Sequence, residues 1–169
     1  MYQLLPTVEG MTTDAPRERM LLDKQLPAAY RQLVALSRDV TTAATDAGLD
    51  PKLIELVKVR ASQINGCAFC LDMHGRAARK AGETERRLLV LATWRDTELF
   101  DEKERAALAV TEAITNLPVT REVPDVVYAQ ASKALGEQEL AIVAWAATVI
   151  NAFNRLGVFS RWPLPEDPK

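Results

Sequence analysis

Apolar residues recur along this chain at intervals of three and four, and no run alternates apolar with polar positions for long enough to make a strand. The pattern predicts an all-α fold, a bundle of about seven helices. After an irregular N-terminal arm, a first helix spans about 27–47, with Leu33, Leu36, Val40 and Ala44 on one face and Gly48 as its stop. Asp50 followed by Pro51 is a strong helix start: a side-chain cap, then a residue whose missing N–H is no loss in a first turn. The helix it opens, about 51–64, is apolar on most sides through Leu53, Ile54, Leu56, Val57, Val59, Ala61 and Ile64, and so belongs in the middle of the bundle.

Asn65-Gly66 interrupts that helix, and a third over about 67–80 closes at Gly82. Thr84 caps a fourth over about 85–94. Asp101 with Glu104 three residues on is a capping-box signature for a fifth over about 102–116, which Pro118 ends. A sixth spans about 124–135 up to Gly136, and a seventh, about 137–156, holds the longest uncharged run, residues 140–154. At 15 residues that run is shorter than the ~17–25 apolar residues of a membrane span, so it reads as a core helix and no membrane partner is expected. Pro163, Pro165 and Pro168 cannot continue it. With no linker, low-complexity tract or internal repeat, residues 1–169 read as a single domain with a core motif at 51–82.

Charge narrows the partners. The 21 Lys and Arg against 23 Asp and Glu are interspersed, for a net charge of −2, and leave no basic stripe for phosphates, so nucleic acid is not expected. Residues 1–16 lack both the basic segment and the continuous apolar segment of a secretory signal, which makes the cytoplasm the expected location. A reducing compartment keeps ordinary thiols reduced.

Only two cysteines are present, too few for a disulfide scaffold, and their placement is the informative fact. Cys67 and Cys70 form a CxxC, and the only histidine, His74, follows four residues later. Steps of three and four put all three on one side of a helix. The first turn of that helix offers unpaired N–H groups and the positive end of the macrodipole, which favour a thiolate. A free thiol near pH ~8.5 is lowered to roughly 3.5–7.5 in such settings. Glu55 is the second oddity, a carboxylate on the helix expected to be most buried, where burial raises its pKa unless a partner is near. If the next helix folds back across Asn65-Gly66, Glu55 meets the CxxC face and can orient His74, which handles the proton of a cysteine.

Plainer readings stand beside this one. The cysteines can be small buried apolar residues, His74 a surface or core histidine, and Glu55 a partner for Lys58 three residues on. C-x2-C-x3-H plus Glu55 also supplies four ligands for zinc, although ligands strung along one helical face diverge by about 1.5 Å per residue. Trp94, Trp145, Trp162, Phe69, Phe153 and Phe159 read as core or interface aromatics, and no bound cofactor is expected. Arg76, Arg79, Arg86 and Arg87 form a basic local patch that reads as a solvated face, with attraction of an anionic substrate as its other use. Asn151 and Asn154, inside an apolar helix, need partners if buried and can approach the site.

Glu55, eleven residues, CxxC, three residues and His74 together resemble the AhpD-like alkylhydroperoxidase core of the carboxymuconolactone decarboxylase superfamily, over 55–82. The resemblance implies an all-helical homo-oligomer (dimer, trimer or hexamer) that reduces small hydroperoxides through a dithiol/disulfide cycle, with a thiol or dithiol protein as reductant. It implies that Cys70 is the peroxidatic cysteine, Cys67 the partner that condenses with it, and His74 with Glu55 the proton relay. The best-studied members carry a histidine between the cysteines, where this chain has Ala68 and Phe69. The decarboxylase branch lacks the CxxC, so lactone decarboxylation is not implied. Self-association is expected independently, because a helix such as 140–154 is apolar on nearly every side. The reading from a different class is a non-catalytic helical oligomer, a redox sensor or a zinc-stabilised module.

Overall fold

A helix that is apolar nearly all round is stable only where neighbours cover every side. The computed structural model, which describes residues 19–165, places two such helices at its centre. In chain order the helices are α1 Leu22–Gln25, α2 Pro27–Asp46, α3 Pro51–Asn65, α4 Ala68–Lys80, α5 Glu85–Val90, α6 Glu102–Thr115, α7 Leu117–Thr120 and α8 Asp125–Ser160. A 3-10 segment, Leu91–Asp96, continues α5, and the described residues contain no strand. Of the expected irregular arm, residues 1–18 lie outside the described residues, as does Pro168, and the described part contains α1.

The central pair is α3 and α8, with α6 packed against both. Leu53, Ile54 and Val57 of α3 meet Ala107 and Val110 of α6 and Leu140, Val143 and Ala147 of α8 in the main core. A second cluster joins Leu56 and Val59 to Leu91, Trp94, Phe100 and Leu108. By length and composition α8 could cross a membrane, but half of its apolar stretch is buried inside this fold. α2 rides on the surface: of the face expected to be apolar, only Ala44 is fully buried and Leu36 is exposed.

The starts of the helices follow the sequence signals. Asp50 accepts the Lys52 N–H at 2.8 Å, Thr84 accepts from the Arg87 N–H, and Asp101 with Glu104 closes a full capping box. Four expectations need correcting. α1 and α7 are one-turn helices, too short to show a periodicity, and Pro118 opens α7 as well as following α6. The helix expected over 85–94 is α-helical only to Val90, then tightens into the 3-10 segment, where Thr93 leaves helical geometry. The sixth and seventh helices do part at Gly136, whose backbone (φ 73°, ψ 173°) is not helical, but the seventh, the second part of α8, runs past the expected 156 to Ser160. Glycine alone takes that conformation without steric penalty. Finally, the basic face is not uniformly solvated: Arg87 is drawn inward to Glu83 and Glu104, while Arg76 pairs with Asp72.

Candidate functional site

The site is built on the turn between α3 and α4. Gly66 takes the left-handed conformation (φ 68°, ψ 31°) that ends a helix, and the Cys67 N–H reaches back to the Ser62 carbonyl at 3.1 Å. Two residues then suffice to reverse the chain. Cys67 opens the next helix as the sequence suggests, as the extended N-cap of α4, because the residue after a left-handed closure must leave helical geometry before a new helix opens. Its Sγ accepts from the Cys70 N–H at 3.3 Å.

The two cysteines are joined in a disulfide, with Cα atoms 5.3 Å apart, inside the usual bridging range. Both are buried, in a small cluster with Ala61 and Ile150 and against Phe69 and Phe153. Gly157 of α8 lies directly against Cys67: a Cβ there would sit 3.0 Å from Cys67 Sγ and 3.0 Å from the Trp162 ring. The disulfide therefore nests where α8 has no side chain.

Reversal at Gly66 brings Glu55 and His74 together, as the spacing suggested. His74 Nδ1 lies 2.8 Å from Glu55 Oε2, and the Lys58 ammonium donates to Glu55 Oε1 at 2.8 Å. The plain reading of Glu55 as a partner for Lys58 and the reading of it as a partner for His74 are both met, one by each oxygen. Burial alone would raise the Glu55 carboxyl; the hydrogen bond with His74 and the nearby charges of Lys58 and His74 outweigh it and hold the group below the ordinary carboxylate value. An ionised carboxylate only accepts, so the imidazole hydrogen belongs on Nδ1 and Nε2 is left as the basic nitrogen.

A cavity of about 270 Å³ opens beside these groups. Cys70, His74 and Lys58 line it, with Tyr30 and Val34 from α2, Phe69 from α4, Phe153 from α8 and Trp162 beyond it. Trp162 stacks edge-on to Phe69 and Tyr30 (centroids 5.3 and 6.1 Å), and its indole N–H is tied to Asp23 at 3.0 Å. Phe69, Phe153 and Trp162, expected to be core or interface aromatics, are thus walls of the site. Phe69 had a local signal, since it stands within the CxxC; Tyr30 and Trp162 had none, being remote in sequence. Cys67 does not line this cavity. It borders a separate cleft formed by Gly66, Ala68, Gly157 and Arg161.

Asn151 and Asn154 are buried and satisfied. Asn65 donates to both side-chain oxygens at 2.9 Å, Asn154 donates to Ser62 and Asn151 to Thr115. They anchor the α3 end of the turn to α8 instead of lining the cavity. Among the described residues no three of His, Cys, Asp or Glu are arranged to hold a metal ion.

The family model for the carboxymuconolactone decarboxylase family matches residues 27–113, a span containing Glu55, Cys67, Cys70 and His74. The chain is 41% identical over 104 residues to the uncharacterized protein YdfG of Bacillus subtilis (strain 168), covering 62% of this chain and 70% of that protein. It is 38% identical over 73 residues to the uncharacterized protein YnjA of Escherichia coli (strain K12), covering 43% of this chain and 40% of that one. A crystal structure of ATU0492 from Agrobacterium tumefaciens, a protein of unknown function and a candidate AhpD antioxidant-defence protein, matches with a TM-score of 0.81 at 32% identity. The match covers 89% of this chain and 100% of that one.

Proposed function

The chain belongs to the carboxymuconolactone decarboxylase family, on its AhpD-like side, and we propose that it serves antioxidant defence by reducing organic hydroperoxides through the Cys67/Cys70 pair. The observation that carries this reading is that Cys70 shares its cavity with His74, whose Nδ1 is held by Glu55.

In the reduced enzyme His74 Nε2 takes the Cys70 proton, and the thiolate attacks the outer peroxide oxygen. The O–O bond breaks, the alkoxide takes the proton back from His74, and Cys70 is left as a sulfenic acid. Cys67, one helical turn away, attacks the sulfenic sulfur; the S–O bond breaks, water leaves, and the disulfide forms. Two thiols have become a disulfide, and the hydroperoxide has become an alcohol and water. Glu55 is a positioning residue that fixes the imidazole tautomer. A thiol or dithiol protein restores the cycle by exchange, and the cleft beside Cys67 is the approach open to it. The proposal extends to a homo-oligomer in the cytoplasm, with the exposed Val126, Tyr128 and Trp145 of α8 as apolar contact surface.

The test is a titration of the reduced protein with cumene hydroperoxide, counting thiols and alcohol. Two thiols lost and one alcohol formed per peroxide is the expected result. Thiols that survive peroxide, or a Cys70→Ser protein that still forms alcohol at the wild-type rate, would overturn it.

A further inference from the structure

The cavity beside Cys70 has a polarity that peroxide chemistry does not require. Its walls are largely apolar, yet the charged side chains among them are Arg38 and Lys58, and no carboxylate of the described residues lines it. Lys58 is committed to Glu55. Arg38 is exposed on α2 and forms no ion pair with any described residue. The exposed lining residues Arg38, Thr41 and Met73 mark the mouth of the cavity, and the fully buried Cys70 lies on its inner side. The site therefore combines, between apolar walls, a cation with no ion-pair partner among the described residues and a sulfur.

A guanidinium presents a planar fork of donors that matches a carboxylate and is weakly hydrated, so it pairs well at the edge of an apolar surface. Resting on the peroxidase reading, we propose that this cavity selects amphipathic carboxylates: organic hydroperoxides whose carboxylate meets Arg38 while the apolar body lies along Val34, Phe153 and Trp162 and the peroxide reaches Cys70. Small uncharged peroxides leave the walls and Arg38 unused. The volume of about 270 Å³ suits a small ligand, being just below the ~300–1,000 Å³ common for ligand pockets.

Octanoate, which carries no peroxide, tests the site apart from the chemistry. It is titrated by calorimetry into the disulfide form beside 1-octanol, and the same pair into Arg38→Gln and Arg38→Lys, with thermal unfolding to verify that each variant is folded. Octanoate is expected to bind about tenfold more tightly than octanol at low salt. That preference should fall about fivefold or more in Arg38→Gln, be partly kept in Arg38→Lys, and weaken as salt is raised. No octanoate binding, equal affinity for octanoate and octanol, or a carboxylate preference that survives in Arg38→Gln overturns the proposal. Octanoate binding as described in a protein that turns over no hydroperoxide would leave the anion site standing and remove the peroxidase reading alone.

Discussion

Glu55→Gln separates positioning from packing, because the two carboxylate oxygens do different work. Oε1 accepts from Lys58 and Oε2 from His74, both at 2.8 Å and both largely shielded from solvent. Glutamine has the same shape but one oxygen and one NH2 group, so it can satisfy only one of the two donors. If its NH2 faces His74, the imidazole hydrogen moves to Nε2, which is then no longer a base. If it faces Lys58, two donors oppose each other and the ammonium must move away. Either way a charge-assisted hydrogen bond is lost, about 1.5–3 kcal/mol. If that bond matters in the transition state, the rate falls about ten- to hundredfold. Stopped-flow measurement of thiol loss in the reduced protein at neutral pH, across a series of hydroperoxide concentrations, reads this directly. Unfolding in urea shows whether the fold is intact. A double cycle with His74→Asn completes the argument: in a relay the two losses overlap, and the double variant is little slower than the slower single one. A Glu55→Gln rate within twofold of wild type with the same pH profile would refute the positioning role, as would losses that simply multiply.

Three further outcomes follow from the packing and the charges. Asn154 is fully buried and bonded to Asn65 and Ser62, so Asn154→Ala should lower the unfolding free energy in urea by about 2 kcal/mol; a change under about 0.5 kcal/mol would contradict the network's role. Glu112, where burial raises the carboxyl but hydrogen bonds from Arg95, Trp94 and Arg60 outweigh it, titrates below its ordinary value, as Glu55 does. Its stabilisation is therefore present above the unfolded carboxylate value of about 4.3 and is lost as pH falls through the lower folded value. Glu112→Gln should be less stable near neutrality and lose less stability between about pH 6 and about pH 3; an unchanged acid slope would contradict this. Light scattering at micromolar protein should return a multiple of 18.7 kDa, and a monomer mass would remove the proposed self-association.

The parts of the fold written in local chemistry were legible. Asp50-Pro51, Gly66 and the Asp101/Glu104 pair each settle a helix end within a few residues, and the apolar girth of 51–64 marks α3 as central. The meeting of Glu55 with His74 could be anticipated for the same reason, since only a short turn separates their helices. Gly136 was legible as the break between two helices, but not the direction in which the chain resumes, which a stop signal does not specify. The cavity was not legible: Tyr30, Val34 and Arg38 arrive from α2 and Trp162 from beyond α8, and tertiary packing alone brings them to Cys70. Arg87 looked like a surface charge until Glu104, on a different helix, drew it inward.

The central claim is that Cys70 attacks peroxide and Cys67 resolves it. Its most direct test is to expose the reduced Cys67→Ser and Cys70→Ser proteins to one equivalent of hydroperoxide in the presence of dimedone and to map the label by mass spectrometry. With no neighbouring thiol to condense with, the sulfenic acid persists and can be trapped. The account predicts label on Cys70 in Cys67→Ser and none in Cys70→Ser. Label on Cys67 in the Cys70→Ser protein, at a rate matching that of Cys70 in the other, would contradict it.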